Sequence, residues 1–497
     1  MSDPLTLSPS ERDLFALVVE ASFVNPFSSD RRSVDLRIGG SGGLSDALVT
    51  VRSVLDQMRA EKRVSVRGYE GEDARLLQMT ILFDAFHRWA HDYDRLIRSQ
   101  TAEGERPVPA PFVADVLDHL IAHGIRQSEA VRLVAIFYQL RRAYTFIQSG
   151  LVGASPCMQA LRVRLWNNIF TCNLRLYIEA LLSRMEDFST LLLGETGSGK
   201  GAAAAAIGRS GFIPFRPETG RFAESFAGNF IAINLSQYPE ALVESELFGH
   251  RKGAFTGAVT DHDGVFARCS PNGSIFLDEI GEVPETLQIK LLQVLQERIF
   301  TPVGSHDRKR FSGRIIAATN RPLAALRASA GFREDFYYRL CSDVIELPTL
   351  RQRIEEDAEE LSRLVRSLMI RHLGAAAAEV LQPSVLEALA TSPGPGYAWP
   401  GNVRELEQAL RRILVTGAYV PGVASRPDVD EWLQAAAAGE LTAEQLMAAY
   451  CAALWRKDGN YEEVGRRTGF DRRTVKKYVL QGIQGDGTEG NEGSEGG

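Results

Sequence analysis

GETGSGK, residues 194–200, follows the apolar run STLLL and leads into the alanine-rich stretch AAAAAIG. Glycine lets a backbone wrap around an anion, so that successive N–H groups and the start of the next helix point at phosphate oxygens while Lys200 reaches the outer ones. The cradle comprises Gly194, Glu195, Thr196, Gly197, Ser198, Gly199, Lys200 and Gly201. A hydroxyl usually follows the lysine and binds magnesium; Gly201 stands there instead, so the metal has to be held by other groups or by water. Those groups come later in the chain. NGSIFLDEI ends an apolar run in Asp278 and Glu279. At the carboxyl end of a strand beside the phosphate loop, Asp278 is suited to orient magnesium and its waters, and Glu279 to polarise the water that attacks phosphorus. GRIIAATNR finishes another run in Thr319 and Asn320, polar groups suited to sensing the γ-phosphate or that water. The chemistry implied is ATP hydrolysis.

Two further stretches supply positive charge. FREDFYYRL carries Arg333 and Arg339 beside aromatics. Such arginines can be given in trans to a neighbouring subunit's phosphoryl oxygens, and a head-to-tail interface that closes makes a ring. WPGNVRELEQAL reads as a helix with Asn402 as N-cap and Glu405 completing a capping box, which leaves Arg404 in the first turn as a second nucleotide sensor.

These residues need a scaffold. The chain has 497 residues, 44% of them hydrophobic, enough for several cores and about three domains. Residues 1–150 read as helices: SERDLFALVVEASF, LSDALVTVRSVLDQM, ARLLQMTILFDAFHRWAHDYDRLI and SEAVRLVAIFYQLRRAYTFI repeat apolar residues every three or four positions, with Ser10, Ser45 and Ser128 available as caps. From 151 to 343, apolar runs ending in glycine or acid alternate with helical stretches, an α/β pattern with parallel strands buried on both faces. Helices return over 344–420. The stretch 421–440 reads as a linker, 441–482 as a small helical unit, and the acidic, glycine-rich 483–497 as a disordered tail. No apolar run approaches the roughly 20 residues of a membrane span. Met1 to Pro9 also lacks the order of a signal peptide, so a cytoplasmic protein with no membrane partner is expected. Five scattered cysteines signal neither disulfides nor zinc and are expected to be core thiols.

Taken together, these motifs resemble the AAA+ activators of sigma-54 RNA polymerase, the bacterial enhancer-binding proteins, from about Leu151 to about Leu414 and again at the C-terminal unit. The most specific element is GAFTGA, Gly253, Ala254, Phe255, Thr256, Gly257 and Ala258. In that family it forms the tip of a loop that presses on the sigma factor and moves with the nucleotide cycle, which places Phe255 and Thr256 where a partner can grip them. The resemblance makes GETGSGK the Walker A loop, FLDEI the Walker B strand, and Asn234 in FIAINLS the residue that switches Glu279. It also puts Thr319 and Asn320 in the first sensor, Arg333 and Arg339 in the trans-acting pair, and Arg404 in the second sensor. Where the family commonly has Glu after the Walker lysine this chain has Gly201, and the segments between Met158 and Gly194 and before Asn234 are longer than usual. Residues 1–150 do not resemble a receiver domain.

KDGNYEEVGRRTGFDRRTVKKYVL, 457–480, divides into a helix from Tyr461 to Arg467, a turn at Gly469, and a second helix capped by Asp471. Arg472, Arg473, Thr474, Lys476 and Lys477 on that helix are the side chains that read base edges or hold phosphates, and the unit is similar to the Fis-type helix-turn-helix. The net charge of −7 speaks against indiscriminate nucleic-acid binding, so a locally basic helix implies specific double-stranded DNA. Asp84, His87, His91 and Asp94 form one helical stripe, read as a solvated face and not as a metal site.

The expectation is a three-part protein: a helical N-terminal domain, an α/β P-loop AAA+ core with a helical lid, and a helix-turn-helix. It would use ATP and magnesium, assemble into a homo-oligomeric ring, a hexamer by the resemblance, bind DNA upstream of promoters, and remodel sigma-54 RNA polymerase holoenzyme from closed to open complex. The rival is a DNA-binding repressor or scaffold that holds ATP without productive remodelling.

Overall fold

The computed structural model describes residues 4–328, 331–421, 436, 439, 441–458 and 460–485. They belong to two compact units, residues 1–419 and 420–497. Apart from residues 421, 436, 439 and 483–485, the expected linker and tail lie outside the described residues.

The first unit begins with seven helices: α1 (Pro9–Phe23), α2 (Ser29–Gly39), α3 (Leu44–Ala60), α4 (Gly71–Arg88), α5 (Ala90–Glu103), α6 (Val113–Ala122) and α7 (Gln127–Gly150). The single helix expected over 74–97 is broken at Trp89. The turn there lets Phe86 pack edge-on against Phe137 and Tyr93 against Phe112. Helix starts also differ from expectation. Pro9, preorganised for the first helical position, makes Ser8 the cap of α1, in a reciprocal box with Glu11, so Ser10 lies inside the helix. Gly43 and Arg126 precede α3 and α7 without side-chain caps, and Ser45 and Ser128 fall in the first turns.

Among the described residues nine strands follow: β1 (Thr190–Leu193), β2 (Phe215–Arg216), β3 (Arg221–Phe222), β4 (Phe230–Asn234), β5 (Ser274–Asp278), β6 (Ile299–Phe300), β7 (Lys309–Arg310), β8 (Arg314–Thr319) and β9 (Asp343–Glu346). Five form one parallel sheet in the order β4-β5-β8-β1-β9. As expected of a parallel sheet, both faces are buried. Leu191, Ile275, Leu277, Ile315 and Ala317 pack on one side. Leu192, Phe276, Ile316 and Ala318 pack on the other, against α8 (Pro156–Phe170) and the helix Lys200–Gly208.

The long segment before Asn234 has a structural explanation. Its antiparallel hairpin, β2 and β3, leaves the α/β core and enters the helical bundle, where Ile213, Phe215, Phe222 and Phe226 join the core formed by α1 to α7. Phe222 stacks on Tyr138 of α7 with ring centroids 3.9 Å apart, and the Ala110 amide donates to Gly220 O at 3.0 Å.

Helices Leu350–Glu356, Glu360–Leu373, Ala375–Thr391 and Asn402–Thr416 form the lid around Leu364, Leu368, Trp399, Leu406 and Leu410. The second unit packs helices Ala443–Asp458, Tyr461–Thr468 and Arg472–Gly485 around Cys451, Val464, Val475 and Val479. All five cysteines are free; Cys451 is a core thiol, whereas Cys172 is exposed, against expectation. Among the described residues no helix is long and apolar enough to cross a membrane.

Candidate functional site

Parallel strands place their carboxyl ends on one edge of a sheet, and that edge is where such folds bind ligands. Here β1 leads into the glycine loop, β4 ends in Asn234 and β5 in Asp278, with Asn234 and Asp278 register partners. A cleft of about 370 Å³ opens there, lined by residues 196–201 together with Asn234, Asp278, Glu279 and Arg404.

Gly197 and Gly199 hold φ values of 79° and 106°, the left-handed region that lets the loop close before the helix Lys200–Gly208 begins. Lys200 Nζ donates to Gly194 O at 2.8 Å and Glu195 O at 3.1 Å. Burial holds its pKa below the usual lysine value, and Arg404 acts in the same direction; the charges of Glu279 and Asp278 oppose them. An ammonium resting on neutral carbonyls can exchange them for phosphate oxygens. Ser198 Oγ is buried without a partner, the mark of a cradle whose ligand completes it. At Gly201 a Cβ would meet nothing within 4 Å, so the missing side chain is a chemical departure and not a steric one.

Glu279 has a left-handed backbone, φ 57°, and its amide donates to Asp278 Oδ1 at 3.0 Å. Burial raises its carboxyl pKa, and the neighbouring Asp278 charge raises it further, against Lys200 and the Asn320 amide. A carboxylate so placed is a competent acceptor for a water proton. Asp278 has no cationic partner within ion-pair distance among the described residues, and no cluster of three or more metal-ligating side chains occurs among them. One free carboxylate beside a phosphate cradle fits a magnesium ion that keeps most of its waters. Asn234 Oδ1 accepts from the Ser236 amide and hydroxyl, so in this state its side chain serves its own turn.

The lid reaches the loop through an unforeseen contact. Gly401, not Asn402, is the N-cap of the helix Asn402–Thr416. Asn402 is fully buried: its Oδ1 accepts from the Leu350 amide at 2.7 Å, while Nδ2 donates to Glu195 Oε2 and Thr196 O. Glu405 does reach back, accepting from the Gly401 amide at 2.8 Å. A Cβ on Gly197 would stand 2.2 Å from Gly401 O, so only glycine admits the lid at this distance. Arg353, Arg371 and Glu407 line the cleft as well and were not legible as site residues.

Thr319 ends β8 and Asn320 follows it, and neither lines the cleft. Thr319 is buried and its Oγ1 accepts from the Arg321 amide, while Asn320 offers Glu279 its backbone. Arg333 and Arg339 are also away from the cleft of their own chain. Arg333 bonds Asp335 and Glu285, and Arg339, in the last turn of the helix Glu334–Leu340, is exposed.

In GAFTGA, Gly253 and Gly257 have φ values of 82° and 102°, and the Gly253 amide donates to Ala258 O at 2.8 Å, closing a tight loop. Thr256 is exposed. Phe255 is half-buried, its ring edge-on to His250 at 4.9 Å, so it lies against the loop's base where a projecting tip had been expected. Arg251 anchors that base on Asp261 and Asp307.

In the second unit Asp471 caps the last helix, accepting from the Arg473 and Thr474 amides. Thr474 donates its hydroxyl to Asp471 Oδ2 at 2.6 Å and is therefore engaged in the cap. Arg472, Arg473, Lys476 and Lys477 are exposed. The N-terminal stripe is not a solvated face: Asp84 is 1% exposed and paired with Arg52 and Arg88, and Asp94 with Arg141. Only His91 faces solvent freely.

Comparison with known proteins gives the following. The sigma-54 interaction domain model matches residues 174–346. The transcriptional regulatory protein ZraR of Klebsiella oxytoca is 36% identical over 343 residues, covering 66% of this chain and 68% of that protein. ZraR of Escherichia coli strain K12 is 34% identical over 342 residues, covering 67% and 69%. The DNA-binding transcriptional regulator NtrC of Azospirillum brasilense is 38% identical over 269 residues, covering 54% and 48%. Among solved structures, NtrX from Brucella abortus aligns over 74% of this chain and 80% of its own, at 21% identity and a TM-score of 0.40.

Proposed function

The chain belongs to the sigma-54-dependent AAA+ transcriptional regulators, and on that premise we propose that it hydrolyses ATP in the cleft at the carboxyl edge of its sheet and uses the cycle to remodel sigma-54 RNA polymerase. The observation that carries this reading is the convergence of Lys200, Asp278 and Glu279 under a lid bearing Arg404.

Lys200 exchanges its two carbonyl partners for the outer phosphates, with the amides of residues 196–201 around them. Asp278 would hold magnesium, which would supply charge neutralisation at the phosphates. Glu279 takes a proton from the attacking water, its raised pKa suiting it to that exchange. Asn402 and Gly197 seat the lid so that Arg404 lines the cleft, where it would meet the nucleotide. Arg333 and Arg339 serve a neighbouring subunit's site, which requires a homo-oligomeric ring; their distance from the cleft of their own chain supports this. Arg333 then has to leave Asp335 and Glu285. The GAFTGA loop carries the stroke to the sigma factor, and the helix Arg472–Gly485 tethers the ring to DNA.

Replacing Thr256 with Ala separates the two halves of the proposal. ATP turnover should persist while open-complex formation on a sigma-54 promoter is lost. Transcription that survives the substitution would sink the loop assignment, and wild-type protein that binds ATP without turnover would favour the repressor or scaffold.

A further inference from the structure

The helix that follows the phosphate loop, Lys200–Gly208, is held at its far end by the N-terminal helices. Carbonyls at a helix C-terminus lack intrahelical donors and carry the negative end of the dipole. Three successive carbonyls in the turn just past that end, those of the C-cap Arg209, Ser210 and Gly211, all accept from α7. Arg142 Nη1 donates to Arg209 O and Nη2 to Gly211 O, each at 2.6 Å, and Gln139 Nε2 donates to Ser210 O at 2.9 Å. Arg142 is fully buried, lies 4.4 Å from the centroid of Tyr138, and has no carboxylate within ion-pair distance among the described residues. The partners of this cation are carbonyls of the turn that ends the phosphate-loop helix, at its C-cap Arg209 and at Gly211. Burial pulls its pKa down to about 10.

Helix α7 also reaches the other end. Gly150 and Leu151, where α7 stops, line the same cleft as Lys200. From Arg142 to Gly150 is about 12 Å of helix, and from Lys200 to Gly208 is about 12 Å as well, so the two run antiparallel with matched ends. Between the ends, Ala143 and Ile147, four residues apart on one face, share a core with Ala203, Ala204 and Ile207. The small alanine side chains of the phosphate-loop helix admit this close approach.

We propose that Arg142 is a positioning residue for the ATP site, and that α7 is the strut by which the N-terminal helices set the placement of the phosphate loop. The proposal rests on the cleft being the ATP site. It gives residues 1–150 a route to the chemistry that does not pass through the lid: any change that shifts α7 along its axis moves Lys200 with it. Asp278 ends β5 and Glu279 follows it, both outside this rod. The strut therefore acts on nucleotide capture more than on the chemical step.

The test is steady-state phosphate release against ATP concentration by full-length Arg142→Met, Arg142→Lys and Gln139→Leu, with thermal melting by circular dichroism to confirm folding. Arg142→Met should raise KM at least about fivefold and leave kcat within about twofold. Arg142→Lys, which keeps the charge and reaches one carbonyl, should recover part of the loss. Gln139→Leu should raise KM about twofold and carries the test alone if Arg142→Met does not fold. Folded variants with wild-type KM, or with lowered kcat at unchanged KM, overturn the strut. Full turnover by Lys200→Ala would instead overturn the ATP-site reading, and the strut with it.

Discussion

Asp84 in the helical bundle and Glu279 in the cleft are both carboxylates drawn out of water, and they end on opposite sides of the ordinary carboxylate range. Burial pushes both pKa values up. At Asp84 the hydrogen bond from Arg52 and the charge of Arg88 more than reverse the push, and the group ends low. At Glu279 the next charge is Asp278, of the same sign, and the group ends high. A buried charge with fixed opposite partners is structure; a buried charge set beside its like is poised to react. The same division separates the regions around them. Asp73, Asp84 and Asp94 each have an arginine in the bundle, while Asp278 has none and Lys200 rests on carbonyls.

The sharpest way to break this comparison is Glu279→Gln, which keeps shape and removes the base. ATP turnover measured by phosphate release should fall by about 10²-fold or more while nucleotide binding persists. Unchanged turnover would put Glu279 in the structural class with Asp84. Histidine tests the bundle from the other direction. Burial holds His87 down to about 4. The unfolded chain, with an ordinary histidine pKa near 6.5, therefore takes up the proton first as pH falls. Stability should decline from about pH 6.5 down to about pH 4, by on the order of 3 kcal/mol for this group. Melting temperatures of wild type and His87→Gln should converge across that window; parallel curves would show that His87 is not held neutral. Asp84→Asn should destabilise by about 2 kcal/mol, below the range for a fully buried pair because Arg52 and Arg88 can turn to solvent. A folded variant with unchanged melting would remove Asp84 from the structural class. The smallest effect is expected at Gly201, where open space accepts a side chain. Gly201→Thr should lower the magnesium concentration for half-maximal turnover by roughly twofold to fivefold, since the hydroxyl adds a metal ligand. A rise would show that the glycine is required.

Much of the cleft was legible because its signals are local. GETGSGK, FLDE and the strand ends need only a few neighbouring residues to be read, and the sheet places them on one edge. What escaped depends on partners far along the chain. Asn402 has the sequence context of a cap, yet its amide bridges Leu350 and the phosphate loop, both remote in sequence. Arg142 sits in an amphipathic pattern where arginine reads as solvated, and only the fold brings residues 209–211 to it. Asp84 and His87 lie on a stripe polar enough to suggest solvent, but Arg52 on α3 covers it. The capping errors were one- or two-residue shifts, decided by Pro9 and by backbone conformations at Gly43 and Arg126 that side-chain type alone does not fix.

The hairpin β2–β3 has a consequence for synthesis. Ile213, Phe215, Phe222 and Phe226 complete the core of helices that leave the ribosome before the hairpin does. The last of them emerges roughly 75 residues after α7 ends, about 4 to 15 s later at ordinary elongation rates. During that interval Tyr138 and its neighbours lack the aromatic partner that the hairpin brings. The two are joined in the order of their making, and neither can be exchanged for a homologous part without carrying the hairpin's matching surface with it.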